Sequence, residues 1–344
     1  MTAAALPVFR AAATRHRYSQ VYVVPVVLGS PISIDLNRVG YLSELRYHLF
    51  GTVTVSAAAA ASDPDATSNY FPSIVIRSPQ GDTPHSFSMR SILDWNYRLF
   101  PGVSPFTDPN FANFNPNATG AQAVDIRFIQ SLSLNDNMNF ETGMLMRQVS
   151  NNNFQLGLTV AQAGDLVGTG GSAISGTSLT LEIEEVYYEA VNPAVVTPPD
   201  FHTVVRLREY PWNNMASGGD NYNPYQPGPT VLDAMMRVMS NGVGDHADVA
   251  RIKLYANKQT YIDNRTGDDI RAENYRHLGK ALRAGVFHLD YFDDRGIVNQ
   301  TSARDFLNTN DAAQLDFVLQ TKSTFNATNS SMVALFRELV TLGV

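Results

Sequence analysis

Strand signals dominate the chain: in short runs, apolar and polar positions alternate with a period of two, the spacing that sets residues i, i+2 and i+4 on one face of a strand. Such runs, or runs of β-branched residues, fall at 21–28 (VYVVPVVL), 49–55 (LFGTVTV), 74–77 (IVIR), 124–134 (VDIRFIQSLSL), 156–160 (LGLTV) and 179–188 (LTLEIEEVYY), and they continue in the second half. Between them lie turn-forming pieces such as SPQGDTP, FPGVSPFTDPNFANFNPNATG and AGDLVGTGGSAISG. Many short strands with polar connections predict an all-β sandwich or barrel. Two segments break the rule. In 87–100 (FSMRSILDWNYRLF), Met89, Ile92, Leu93 and Asn96 recur at helical spacing and a Pro-Gly pair follows; residues 268–286 (DDIRAENYRHLGKALRAGV) form the second helical stretch.

The surroundings of these helices match in order. Ile74-Val75-Ile76-Arg77, a polar hairpin, a helix with Asn96-Tyr97-Arg98 and then Gly102-Val103 occur in the first half. Ile252-Lys253-Leu254-Tyr255, a polar hairpin, a helix with Asn274-Tyr275-Arg276 and then Gly285-Val286 occur in the second. A further strand follows in each case, and each half closes on an alternating run, LTLEIEEVYY in one and QLDFVLQTKS in the other. This ordered match predicts an internal duplication. The boundary falls at NPAVVTPPD, whose three prolines fix φ and withhold backbone donors. The expected division is an arm over 1–20, a first domain over 21–192, a linker over 193–200 and a second domain over 201–344. Residues 210–230 (YPWNNMASGGDNYNPYQPGPT) read as a long loop offering Trp212, Tyr222 and Tyr225 as contact surface.

Composition narrows the functions. A net charge of −7 and a pI near 5.5 argue against a dedicated nucleic-acid binder, so no direct nucleic-acid partner is expected. Only 17% of residues are charged, which suggests that much of the surface meets protein. Arginine outnumbers lysine 21 to 4, as suits buried contacts, although a GC-rich genome raises arginine and alanine equally. With no cysteine, neither disulfides nor thiolate sites contribute, and packing or assembly must supply stability. No apolar run approaches the roughly 20 residues of a membrane-spanning helix. The first acidic residue is Asp35; before it stand Arg10, Arg15, His16 and Arg17 among apolar residues, a basic arm that fits either a short amphipathic helix on anionic lipid or a docking segment.

Catalytic patterns are weak. The seven histidines show no HxH or HxxxH pair, which disfavours a cupin-like metal enzyme. DNRTGDD at 263–269 lacks the glycine and closing glutamate of a calcium loop and reads as a hairpin tip, and GTGG at 168–171 lacks the Lys-Ser or Lys-Thr of a phosphate loop. No GxSxG occurs, and the adjacent carboxylates Glu184-Glu185, Asp268-Asp269 and Asp293-Asp294 would face opposite sides of a strand. No catalytic residue, cofactor or metal is assigned.

Taken together, PISIDLNRVGYLSELRYHLFGTVTV, SIVIRSPQGDTPHSFSMRSILDWNYRL, LTLEIEEVYYEAV, RAGVFHLDYFDDRG and QLDFVLQTKSTFNATNSSMVALFRELV give a chain that resembles the double jelly-roll major capsid proteins of tailless, internal-membrane icosahedral viruses, tectiviruses most closely. The resemblance covers nearly the whole chain as ordered features rather than a strict signature. It implies two tandem eight-stranded jelly rolls, each with a short inserted helix, plus an N-terminal arm or helix. It further implies a homotrimer serving as a pseudo-hexameric tile, made in the host cytoplasm and built into the virion. Neighbouring capsomers and minor capsid proteins would be its partners, with a lipid membrane beneath, and Arg10, Arg15 and Arg17 would contact that membrane. On this reading the change of phase in LTLEIEEVYY is a β-bulge at Glu184-Glu185. Glu184, Glu185, Tyr187 and Tyr188 then mark the junction to the second roll. The alternative from another class is a glycan-binding or receptor-binding β-sandwich spike using the aromatic residues of 210–230.

Overall fold

The computed structural model describes residues 21–37, 40–57, 66–79, 81–99, 112–132, 153–167, 173–190, 203–257, 260–291, 307–310 and 312–341, with strand pieces at 6–7, 14–18, 134–137, 140–142, 145–146 and 196–197. The first half contains β1 (Thr14–Tyr18), β2 (Tyr22–Val26), β3 (Ile32–Asp35), β4 (Tyr41–Ala57), β5 (Ser73–Arg77), β6 (His85–Phe87), helix α1 (Met89–Leu99), β7 (Gly120–Ser131), β8 (Gln155–Thr159) and β9 (Ala173–Ala190). The second half contains β10 (Thr203–Asn213), β11 (Asp220–Tyr225), β12 (Thr230–Ser240), β13 (Val249–Ala256), β14 (Thr260–Thr266), helix α2 (Gly267–Leu278), β15 (Val286–Asp290), β16 (Leu315–Thr321) and β17 (Ser331–Thr341).

Each half is a jelly roll. In the first, β2-β9-β4-β7 form one sheet and β3-β8-β5-β6 the facing one; in the second, β10-β17-β12-β15 face β11-β16-β13-β14. The opening strand of each roll lies against its closing strand, and a helix enters between the fifth and sixth strands, so both rolls share one topology. Alternation along β4 and β7 sends Leu45, Tyr47, Leu49, Val53, Val124, Ile126 and Phe128 inward. In the second roll, Tyr210, Trp212, Tyr225, Phe317 and Phe336 form a packed aromatic cluster, with ring centroids 4.8 to 6.5 Å apart in the recorded pairs. Prolines sit where a missing donor is tolerated: Pro25 in β2 and Pro224 in β11, both strands at sheet edges.

Several expectations change. Residues 210–230 are not a loop, because β10 runs to Asn213 and β11 occupies 220–225. QLDFVLQTKS supplies β16, the seventh strand of its roll, and the eighth is β17. DNRTGDD carries β14 straight into α2: Thr266 caps the helix by accepting from Asp269 N at 3.1 Å, while Asp268 and Asp269 favour its positive end. Residues 14–18 are strand rather than helix; they pair with Val186–Ala190, the part of the 18-residue β9 that overruns β2 and would otherwise leave its edge open. Arg10, Gly102-Val103, the GTGG run and most of the proline-rich stretch lie outside the described residues.

Candidate functional site: the joint between the rolls

The two rolls share a sheet. β6 of the first pairs in parallel with β10 of the second, Leu207 opposite His85 and Arg208 opposite Ser86, so β3-β8-β5-β6 continues into β10-β17-β12-β15. The outer face of the second roll's leading sheet, β10-β17-β12-β15, is thereby turned onto the first roll. Val204, Leu207, Met235 and Leu335 join the first roll's apolar cluster rather than their own.

Helix α1 fills the angle between them, and Ser88 precedes it as a cap. The Ser88 hydroxyl accepts from Ser91 N at 3.3 Å, and Ser88 N and Oγ donate to Glu209 Oε2 at 2.8 and 2.7 Å, tying the helix start to β10. Further along, Asp94 is salt-bridged to Arg237 of β12, with Arg283 at 3.4 Å. Arg98 donates to His288 Nε2 at 2.9 Å and lies 3.5 Å from Asp233. Arg337 donates to Asp233 at 2.6 Å, and the Arg98 and Arg337 guanidiniums approach the Trp95 ring at 4.4 and 5.0 Å. Tyr97 Oη donates to Ala281 O at 3.1 Å, and Lys280 donates to Tyr97 O. Asp94, Trp95, Arg98, Asp233, Arg237, His288 and Arg337 are all buried.

Burial tunes these groups. It pushes the Asp94 carboxyl up against the pull of Arg237, and raises Glu338 in the same way despite Arg206 at 2.5 Å. For Asp233, burial is outweighed by Arg337, His288 and Arg98, and its carboxyl stays below the ordinary range. His85 is lowered to about 3 and His288 to about 4, chiefly by burial and then by a neighbouring arginine. Both act as acceptors: His85 Nδ1 takes Leu207 N at 3.3 Å and His288 Nε2 takes Arg98. Neutral rings are therefore part of the joint.

Asp233, His288 and Asp290 bring one ligand atom each within 4.8 Å, a trio the histidine spacing did not reveal because it spans two strands. The donor set does not fit a cation, because Arg98 and Arg337 already set two fixed positive charges against Asp233 Oδ2 and Arg98 takes His288 Nε2. The cluster is an internal ion network.

The residues singled out in the sequence separate. Glu185 continues the inward alternation of β9 and is fully buried, accepting from Tyr22 Oη at 3.1 Å and from Asn37 N at 3.2 Å inside the first roll. The strand does not change phase there. The register shift comes between Val186 and Tyr187, and the extra residue, Ser43, belongs to the facing strand β4. Glu184 stands on the outer face beside Arg46 at 3.5 Å; Tyr187 and Tyr188 follow in register with Leu42 and Tyr41. Among the described residues, the contacts between rolls run instead through α1 and β6 of the first and β10, β12, β15 and β17 of the second. Of the three aromatic residues expected on an exposed loop, Tyr225 is buried and hydrogen-bonded to Glu338, because β11 turns it into the aromatic cluster. Trp212 is half-buried in that cluster, and Tyr222 is exposed with its ring stacked on Tyr255. Arg15 and Arg17 stand in β1, opposite Glu189 and Tyr187.

No protein-family profile and no curated protein matches the sequence. Among solved structures, the major capsid protein of Sulfolobus turreted icosahedral virus is similar over 94% of this chain and 97% of its own, with a TM-score of 0.66 at 17% identity. VP54 of the virus PBCV-1, fitted into a reconstruction of the virophage Sputnik, covers 96% and 95% with a TM-score of 0.67 at 11% identity. The major capsid protein of bacteriophage PM2 covers 94% and 98% with a TM-score of 0.53 at 11% identity. The likeness is one of fold and extends over more than nine-tenths of both chains, both rolls included.

Proposed function

We propose that this chain is the major capsid protein of an icosahedral virus, a structural subunit with no catalytic duty. The observation that carries the reading is the pair of same-topology jelly rolls, a fold matched over more than nine-tenths of the chain by capsid proteins of three different viruses; here one continuous sheet and a buried ion network lock the two rolls together. Two rigidly joined rolls make a block with a fixed angle, which is what a tile needs. In this reading the chain forms a homotrimer, meets neighbouring capsomers and minor capsid proteins, and lies over an internal membrane of the virion, with Arg10, Arg15 and Arg17 toward lipid headgroups. The glycan-binding alternative is weakened because Tyr225 is core and Trp212 half-buried, leaving Tyr222 as the exposed member of its platform.

Sedimentation of the purified protein tests the reading: a species of three times 37.8 kDa that tiles into sheets by electron microscopy is expected, and a monomer at all concentrations that binds glycans would overturn it. For the arm, R10Q/R15Q/R17Q is expected to weaken binding to anionic vesicles by more than tenfold at low salt, since each basic residue near such a surface contributes about 1 kcal/mol. Unchanged vesicle binding would remove the membrane assignment and leave the shell assignment intact.

A further inference from the structure

The two rolls correspond residue by residue around the joint. Asn96 of α1 donates to Ile129 O at 2.7 Å and accepts from Ile129 N at 2.7 Å; Asn274 of α2 donates to His288 O at 2.8 Å and accepts from His288 N at 3.0 Å. Ile129 lies opposite Arg46, and His288 opposite Met235. Arg46 pairs with Glu184 and Met235 with Leu335; two positions earlier Glu44 pairs with Val186 and Asp233 with Arg337. Each strand then has one extra residue, Ser43 in β4 and Leu232 in β12. The shared bulge fixes the alignment: Glu44 is the counterpart of Asp233, Tyr275 of Tyr97, and Arg276 of Arg98.

Equivalent positions are not equally covered. In α1, Asp94, Trp95 and Arg98 are buried against the second roll, and Asn96 against its own roll; in α2 only Gly267, Ile270 and Asn274 are buried. Tyr275 is 60% exposed and Arg276 is exposed as well. On the receiving side, the outer face of the second roll's leading sheet is under α1, whereas Glu44, Arg46, His48, Glu182 and Glu184 on the first roll's matching face remain part-exposed. Beside them, Val21, just before the opening strand, and Val23 within it, 39% and 59% exposed, stand where Glu209 and Pro211 stand in the second roll when the register of β2 is continued by one residue, and Glu209 is the residue that binds the start of α1. Among the described residues, no strand pairs the outer edge of β2 or of β14. The molecule thus carries one completed joint and the two unmatched halves of another.

We propose that a second copy of this chain completes it: α2 of one molecule docks on the β2-β9-β4 face of the next, repeating between molecules the joint that α1 makes within one. The occupant is a second copy because the missing half is present on the same chain. Charge agrees, since Arg276 would meet Glu44 where Arg98 meets Asp233, on a face where, among the described residues, Glu44, Glu182 and Glu184 outnumber the one arginine, Arg46, that bonds Glu44 and lies 3.5 Å from Glu184, and His48 stands 3.4 Å from Glu182. Tyr275 would take the place of Tyr97, and Val21 and Val23 would lose their exposure to water. The contact is head-to-tail, so it closes into a ring or propagates according to the angle of the step. The proposal deepens the capsid reading and rests on its self-association.

Charge reversal tests it. R276E alone and E44R alone are each expected to raise the concentration at which the assembly half-dissociates by at least tenfold in sedimentation, and R276E/E44R to recover most of the loss. Because the chain has no cysteine, R276C mixed with E44C should also give an intermolecular crosslink with a short bis-maleimide, which either variant alone does not. If the native protein assembles while the reversals and the cysteine pair have no effect, this surface is wrong and the capsid reading stands. If the native protein never associates, both fall.

Discussion

Asp233 shows how much a single carboxylate holds in this fold. It lies fully buried between Arg337 and Arg98, with the neutral ring of His288 beside it, and the two arginines would be left in a buried joint without this counter-charge if the carboxylate were removed. A buried pair adds little net stability relative to apolar packing, but breaking one strands a charge at a cost of about 3–5 kcal/mol. D233A is therefore expected to lower the unfolding free energy by about that amount in urea titration, while E182A on the half-exposed outer face changes it by less than about 1 kcal/mol. The same joint sets the acid response. His85 and His288 have folded values of about 3 and about 4, below the ordinary 6.5, so the folded state binds fewer protons than the unfolded one. Their contribution is complete above about pH 6.5 and is lost as the pH falls, on the order of 2 kcal/mol for each by pH 5. Asp94 and Glu338, raised by burial, work in the opposite sense and offset part of the loss. H288N should flatten the fall in stability between pH 6.5 and 4.

At the scale of elements, the two helices are docked by one device. An asparagine on each helix takes both backbone groups of a residue on the neighbouring strand, Asn96 at Ile129 and Asn274 at His288, a two-way bond that fixes the helix in register. Replacing either by alanine leaves a buried N–H and a buried C=O unpaired, about 1–3 kcal/mol for each group. N96A and N274A should both lower the thermal midpoint, and N96A should also loosen the joint, read as faster hydrogen exchange at Leu207 and Arg208. The turn after α2 has its own constraint. Gly285 has φ +75°, and a Cβ there would lie 2.4 Å from Val238 O and 2.6 Å from Asp245 N, so G285A should cost more stability than any exposed Gly-to-Ala change, measured by the same titration. The Asn-Tyr-Arg triplets and the Gly-Val after the second helix were legible in sequence because local spacing fixes them. The bulge was placed one strand away from its true position, since a single strand's alternation does not report an extra residue on its partner.

For the whole molecule, the joint makes the two rolls one unit. Val204, Leu207, Met235 and Leu335 belong to the second roll's chain but pack in the first roll's core, so unfolding either roll uncovers the other. Calorimetry is expected to show one transition with calorimetric and van't Hoff enthalpies in agreement; two separable transitions would mean the rolls are independent. The sequence by itself determined the all-β class, the turn-rich connections, the two helices and the doubling of the plan, because period-two alternation, helical spacing and glycine or proline punctuation are local properties. Only the tertiary structure decided that β6 pairs with β10, that Tyr225 is core and that Glu185 binds Tyr22 and Asn37. The clearest case is Arg98 and Arg276: identical triplets on matching helices, one buried in a joint and the other open to water, because burial depends on which surface the rest of the chain brings over the helix.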